Sequence, residues 1–174
     1  MITVVCGTNR PDANSEVIGN LYVTKLTALG ENAHLLNLKD LPSDFVTSAL
    51  YDNAGKNEAF NPFREAMANA HKFIFVVPEY NGSFPGVLKA FIDGLKYPVT
   101  FRGKKAAMLG LSSGIQGAGL ALSHLTDILN YCGTHVLAFK PKFPHIDEHL
   151  KNGEITNKKY LDEIDIQLKQ FVDF

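Results

Sequence analysis

Residues 7–15 include several side chains of types that could bind an anion. The segment follows a short apolar run and precedes an amphipathic stretch, so it joins a strand to the N-terminus of a helix. Backbone N–H groups at such a terminus lack carbonyl partners, and together with the helix dipole they favour a phosphate group. Side chains that could add donors or charge are Thr8, Arg10, Asn14 and Ser15. Serine and asparagine are also common helix caps, so this segment alone leaves both interpretations open.

The glycine pattern of the same segment argues against a larger nucleotide. Residues 7–15 contain neither the GxxxxGK[ST] pattern of a P-loop nor the GxGxxG pattern of a dinucleotide-binding fold. We therefore expect a single small phosphate group here and not a triphosphate.

Two further segments could bring peptide groups close to a flat ligand. With residues 7–15 as the first segment, residues 78–86 are the second segment and residues 112–119 are the third. Residues 78–86 hold two prolines and two glycines, and Tyr80 and Phe84 add apolar ring faces. Residues 112–119 are rich in glycine, which allows close backbone approach, although their GxxGxG spacing is a weak nucleotide signal. Each of these segments, taken alone, could also be a plain connection.

Alternating apolar runs and amphipathic stretches predict the elements that position these segments. The predicted strands are 2–6, 33–38, 73–77, 106–111 and 136–139, and the predicted helices are about 15–29, 58–70, 87–95, 120–132 and one at the C-terminus, with 39–57 irregular or short-helical. This alternation predicts a single α/β domain over 1–174, a doubly wound five-stranded parallel sheet in the flavodoxin-like order 2-1-3-4-5 with helices on both faces. In such folds ligands bind at the carboxyl ends of the strands, where all three segments would meet.

Composition and charge narrow the class of partner and the location. A formal net charge of −1 provides no basic field for nucleic acid or an anionic membrane. No apolar run approaches the roughly 20 residues of a membrane-spanning helix, and the N-terminus has no secretory pattern, so we expect a cytoplasmic protein. Cys6 and Cys132 lie far apart without a CxxC pattern, so we expect two small buried hydrophobic side chains and no disulfide.

One motif raises the possibility of a metal site. His145 and His149 are four residues apart with Asp147 and Glu148 between them, a spacing that could hold a metal on a helix. The preceding Pro144 and the turn-like composition favour a solvated loop instead. We therefore predict no metal site in this chain.

The second segment and the residues after it form a long, specific pattern. Residues 78–83, then 85–89, then Ile92 and Asp93, resemble the PEYNGSxPGxLKxxID signature of the NADPH-dependent FMN reductase family. Residues 7–15 resemble that family's phosphate loop, and Gly103 with Lys104 also matches it. The resemblance extends over about residues 2–140.

The resemblance implies a role for each matching position. The FMN phosphate would be held by Thr8, Arg10, Asn14 and Ser15; the isoalloxazine ring would be lined by Pro78, Glu79, Tyr80, Asn81 and Gly82; and its pyrimidine end would be bordered by Ser112, Ser113 and Gly114. The chain departs from the family pattern at Ile115 and Gln116, which interrupt a glycine pair. It departs again at 123–126, where many relatives have a Gln-Leu-Arg run.

The same resemblance implies an enzyme that passes electrons from NADPH or NADH through FMN to a flavin, a quinone or a similar small acceptor. FMN carries this chemistry, so we predict no catalytic side chain. The resemblance also implies a homodimer or homotetramer. One alternative is a flavodoxin-type electron carrier, but such carriers usually show an acidic excess that this nearly neutral chain lacks. Another is a flavin-free protein on the same fold.

Overall fold

The computed structural model describes all residues, 1–174, and its centre is one parallel sheet. Its strands are β1 (Ile2–Cys6), β2 (Ala33–Asn37), β3 (Lys72–Pro78), β4 (Lys105–Leu111) and two short edge pieces, β5 (His135–Val136) and β6 (Lys142–Phe143). The order is β2-β1-β3-β4-β5, β6 also pairs with β4, and every pair in this sheet is parallel. The predicted flavodoxin-like order is therefore confirmed.

Five of the seven helices follow the predicted amphipathic stretches. The seven are α1 (Asn14–Ala28), α2 (Phe45–Ser48), α3 (Asn61–Asn69), α4 (Gly86–Asp93), α5 (Gly119–Tyr131), α6 (Ile146–His149) and α7 (Lys158–Asp173), with two 3-10 turns at Leu38–Asp40 and Tyr51–Asn53. The five that follow the predicted stretches are α1, α3, α4, α5 and α7. The segment 39–57 is irregular and short-helical, as predicted. No helix is both long and apolar enough to cross a membrane.

The sheet separates two apolar cores. Alternate strand residues such as Phe73 and Phe75 pack on one face with the helices α3, α4 and α5, whereas Ile74 and Val76 pack on the other face with α1 and α7. Successive side chains of a strand point to opposite faces, and helices cover both, so the central strands are apolar throughout. The loops at the carboxyl edge of the sheet remain accessible to a ligand.

The predicted fifth strand, 136–139, is wrong in its extent. The pairing with β4 stops at Val136, which is opposite Ala106, and resumes at Lys142, which is opposite Gly110. The edge therefore advances six residues while β4 advances four. This bulge leaves carbonyl groups unpaired, and Gln167 satisfies two of them: its Nε2 donates to the Met108 oxygen at 2.8 Å and to the Phe139 oxygen at 3.0 Å. The ladder is therefore completed by a side chain from the C-terminal helix.

Gln167 is itself held by a buried tyrosine. Tyr22 lies in α1 and donates from its hydroxyl to Gln167 Oε1 at 2.6 Å. Burial raises the pKa of Tyr22 well above its ordinary value, which keeps the hydroxyl protonated as a donor. Both side chains are fully buried, so this network connects α1, α7 and the sheet through satisfied polar groups.

Replacing Gln167 with leucine should lower the free energy of unfolding by about 2 kcal/mol, because it leaves buried carbonyl and hydroxyl groups without partners. Urea denaturation monitored by circular dichroism measures this loss. Gln170→Leu is the matched control, since Gln170 is exposed on the same helix. Equal stability of the two variants would contradict a structural role for the Gln167 network.

The segment after the sheet also differs from its prediction. Residues 146–149 form the single helical turn α6, not a solvated loop, because Ile146 is buried against the core that also contains Tyr160. A short antiparallel hairpin of β7 (Leu150–Lys151) and β8 (Glu154–Ile155) follows. His149 packs edge-on against Tyr160 at 5.2 Å between ring centroids, and no group of three potential metal ligands is found in residues 1–174.

Candidate functional site

The three predicted segments meet in one cavity at the carboxyl ends of β1, β3 and β4. Its volume is about 250 Å³, and nine of the predicted site residues line it: Thr8, Arg10, Asn14, Ser15, Pro78, Glu79, Tyr80, Ser112 and Ser113. Asn81, Gly82 and Gly114 do not line it. The lining also includes Asp12, Ala13, Leu111, Ile146 and Asp147, to which sequence analysis assigned no binding role.

The N-terminus of α1 opens into this cavity without a side-chain cap. The N-cap residue is Ala13, which has an extended backbone and no side-chain acceptor. Asn14 and Ser15 are the first two residues of the helix itself, so neither of them caps it. The N–H groups of Asn14 and Ser15 form no backbone hydrogen bond. These unpaired donors and the positive end of a 15-residue helix provide the setting in which an anion binds.

Thr8 connects the first segment to the second. Its side chain is almost fully buried, and its Oγ1 lies 2.8 Å from the Tyr80 hydroxyl and accepts the Arg10 N–H at 3.2 Å. The backbone at Gly7 also packs closely against β3: a Cβ atom at this position would lie only 2.9 Å from the Val76 oxygen. The anion-binding segment and the second segment are therefore held together directly.

The other predicted phosphate ligands differ in how firmly they are held. Ser15 is buried, and its hydroxyl lies 3.2 Å from the Cys6 sulfur, whose pKa is raised by burial. Asn14 donates from Nδ2 to Asp147 Oδ1 at 2.8 Å, which connects α1 to α6 across the cavity. The Arg10 side chain is exposed and makes no hydrogen bond or ion pair with the rest of the chain, so its guanidinium is available to a ligand.

The second segment contains a tight two-residue turn. The backbone groups of Tyr80 and Ser83 exchange hydrogen bonds of 2.7 and 3.1 Å, and the turn residues Asn81 and Gly82 have φ values of 51° and 78°. Positive φ at both positions is typical of a type I′ turn and explains the Asn-Gly pair. Ser83 Oγ lies 2.9 Å from His124 Nδ1 on α5. His124 is one of the residues at 123–126 that differ from the family pattern, so this difference lies next to the turn.

The third segment is fixed by Glu79. The Glu79 carboxylate accepts the Ala118 N–H at 3.0 Å, directly before α5, which connects the second segment to the third. Ser112 Oγ donates to the Gly114 oxygen at 2.7 Å and accepts the Gly117 N–H at 2.9 Å. The Glu79 side chain therefore organises the wall of the cavity, a role that sequence analysis did not predict.

The donor set fits an FMN molecule. Unpaired N–H groups, the Thr8 hydroxyl and the free Arg10 guanidinium suit a phosphate dianion at one end of the cavity. The Pro78–Tyr80 backbone and the Ser112 and Ser113 region form the other walls.

The family sequence pattern decides between this fold's many functions. The pattern that defines the NADPH-dependent FMN reductase family matches residues 1–141. The chain belongs to that family. Membership makes it an FMN-dependent oxidoreductase that uses NAD(P)H, and the resemblance found in the signature is confirmed.

Individual relatives agree with this family assignment. A 2-hydroxy-1,4-benzoquinone reductase from Burkholderia sp is 30% identical over 169 residues, covering 92% of this chain and 89% of its own. A quinone reductase of Escherichia coli K12 is 29% identical over 187 residues, covering 100% and 94% of the two chains. Among solved structures, the flavoenzyme FerB, an NAD(P)H:(acceptor) oxidoreductase from Paracoccus denitrificans, is similar with a TM-score of 0.79 and 28% identity, covering 99% and 94%.

Proposed function

We propose that this chain is an NAD(P)H-dependent quinone reductase that binds FMN in the cavity between the three segments. The observation that carries the proposal is the uncapped N-terminus of α1, which presents unpaired donors to the same cavity as the family's signature segment. Relatives named as quinone reductases support a quinone as the acceptor.

The roles of the site residues are part of this proposal. The phosphate is held by Thr8, Arg10, Asn14 and Ser15; the ring lies along Pro78, Glu79 and Tyr80; and its pyrimidine end borders Ser112 and Ser113. Gly114 lies outside the cavity lining and acts by accepting a hydrogen bond from the Ser112 hydroxyl. Asn81 and Gly82 act by shaping the turn, since they lie outside the cavity lining. When bound, FMN supplies the hydride and electron transfer, and the side chains bind and orient it.

The test is spectroscopic. The purified protein mixed with FMN should show bound-flavin absorbance, lose it on anaerobic addition of NADPH or NADH, and regain it on addition of 1,4-benzoquinone. A bound flavin that neither nucleotide bleaches would contradict the proposal and favour an electron carrier. Failure to bind FMN at all would contradict both.

We also propose a homodimer or homotetramer, supported by an exposed apolar groove between α4 and α5. The groove has a volume of about 590 Å³. Its apolar lining includes Ile92, Leu95, Tyr97, Phe101, Ile128 and Tyr131, and the charged side chains Lys89, Asp93 and Asp127 also line it. Tyr97 and Tyr131 stack at 6.2 Å between centroids although they are 60% and 79% exposed. An apolar surface of this kind is typical of a contact with a second copy of the chain.

Tyr131→Asp should therefore convert the assembly to monomers at micromolar concentration, because it places a charge in the apolar contact. Light scattering measures the mass. Tyr51→Asp is the matched control, since Tyr51 is 83% exposed and lies outside the groove. A wild-type protein that is monomeric, or a Tyr131→Asp protein that keeps its mass, would contradict the proposed interface.

Two further expectations remain proposals. A single domain over 1–174 is supported by the central sheet, which carries one apolar core on each of its two faces. Urea denaturation in one cooperative transition would be the expected result for a single domain. A cytoplasmic location is supported by the free, buried Cys6 and Cys132, because disulfides belong to oxidising compartments. Cell fractionation would test it.

A further inference from the structure

A second polar groove lies between α5 and the edge of the sheet. Its volume is about 400 Å³, and its polar lining consists of Ser123, Thr126, Asp127, Lys140 and Lys142. The two lysines flank Pro141 and both face the groove, so two cationic groups are brought together there. Neither is part of the flavin cavity.

Neither lysine of this groove has a partner within the chain. Most other lysines either form ion pairs, as Lys25 does with Asp165 at 2.6 Å, or donate to backbone oxygens, as Lys72 does. Lys140 and Lys142 form no ion pair and no hydrogen bond. Lys140 is half-buried, and burial lowers its pKa, as expected for a cation without a compensating charge nearby.

The remaining polar groups of the groove define the ligand further. The Ser123 hydroxyl is exposed and unbonded, so it can donate to a ligand, whereas Thr126 already donates to the Leu122 oxygen at 2.6 Å. At the N-terminus of α5, the Ala118 N–H already donates to the Glu79 carboxylate. The positive charge that would attract an anion to this groove therefore comes from the two lysines. Asp127 is the one acidic side chain of the lining, and it forms no ion pair with either lysine.

The groove adjoins the third segment of the flavin site. A Cβ atom at Gly117 would lie 3.0 Å from Lys142 Cβ, and one at Gly119 would lie 3.7 Å from Lys142 Cδ. The same segment begins with Ser112 and Ser113, which line the flavin cavity. Residues 112–119 therefore border both the flavin cavity and the groove that contains the lysines.

We propose that Lys140, Lys142 and Ser123 form a phosphate-monoester site and that its occupant is the 2′-phosphate of NADPH. The identity of the occupant rests on the proposed function above. The site would make the enzyme prefer NADPH to NADH, because only NADPH carries that group, and two cations can compensate its charge.

The first test compares nucleotides in the FMN-loaded protein. The double variant Lys140→Gln/Lys142→Gln should raise the KM for NADPH about ten- to hundredfold and leave the KM for NADH and both kcat values unchanged. The control is Lys56→Gln/Lys169→Gln, which removes two other exposed lysines that have no partner. An equal change in both KM values, or no change in either, would overturn the proposal.

The second test does not depend on activity. Isothermal titration calorimetry should detect binding of 2′,5′-ADP to the wild-type protein, much weaker binding to the double lysine variant, and no comparable binding of adenosine, which carries no phosphate. Inorganic phosphate that binds as tightly as 2′,5′-ADP would identify a free-phosphate site and overturn the assigned occupant.

The two proposals fail in different ways. If NADPH and NADH reduce the flavin equally well and 2′,5′-ADP does not bind, the lysine site is wrong and the quinone reductase function stands. If neither nucleotide reduces the flavin, the proposed function is wrong, and calorimetry with 2′,5′-ADP still decides whether the groove binds a phosphate monoester.

Discussion

Replacing Arg10 with alanine should weaken FMN binding about ten- to hundredfold and leave riboflavin binding unchanged. The guanidinium is exposed and has no partner in the chain, so the variant removes a ligand contact without breaking a structural one. A charge-assisted contact to a phosphate is worth about 1.5 to 3 kcal/mol, which sets the expected range. Titration of flavin fluorescence with protein measures both affinities.

The loss should be partial because other donors remain. The unpaired N–H groups of Asn14 and Ser15 and the dipole of α1 are intact in the variant. Arg10→Lys should recover part of the affinity, since lysine restores the charge but not the planar fork that binds two phosphate oxygens. The wild-type protein itself should bind FMN more tightly than riboflavin for the same reason.

Arg102→Ala is the matched control for Arg10, since Arg102 is also exposed and lies outside the flavin cavity. Its FMN affinity should equal that of the wild type. If Arg10→Ala keeps its FMN affinity but has a higher KM for NAD(P)H, Arg10 contacts the nucleotide instead. If both constants are unchanged, Arg10 is a solvated surface residue and its proposed role is wrong.

The fold could be predicted from the sequence because its signals are local. Strand β3 is a continuous apolar run, and α4 and α7 repeat apolar residues at helical spacing, so each element is determined by its own residues. Alternation of such elements then leaves few topologies. The bulge between β5 and β6 could not be predicted in this way, because it depends on Gln167 and Tyr22, which are remote from it in sequence.

The candidate site shows the same division. Its three segments could be predicted because each follows a strand, and all such ends meet at one edge of a parallel sheet. Propensity suggested Asn14 or Ser15 as caps, yet the helix begins after Ala13 and leaves both N–H groups open. Asp147 reaches Asn14 across 133 residues, and no pattern within either segment indicates that contact.

The glycine at position 110 shows how strongly the strand and the third segment depend on each other. Gly110 lies in β4, and a Cβ atom there would be 2.6 Å from the Gly117 oxygen and 2.9 Å from Ala118 Cβ. Both neighbours are held: Gly117 donates to Ser112 Oγ, and Ala118 donates to Glu79. An alanine at 110 must therefore push the segment away from the sheet and break these bonds.

We expect Gly110→Ala to lower the free energy of unfolding by about 3 kcal/mol, at the upper end of the cost of overpacking, because the obstructing atoms include backbone. FMN binding should fall at least tenfold, since displacement of 112–119 also moves Ser112 and Ser113 out of the cavity wall. Urea denaturation without flavin and fluorescence titration with FMN measure the two effects separately.

Gly86→Ala is the matched control for Gly110→Ala. A Cβ atom at Gly86 meets nothing within 4 Å, and the residue starts α4, so the free energy of unfolding should be unchanged or rise by about 0.5 kcal/mol. A Gly110→Ala protein as stable as the Gly86→Ala protein would show that the third segment can move freely, and would contradict its proposed role as a fixed wall of the FMN site.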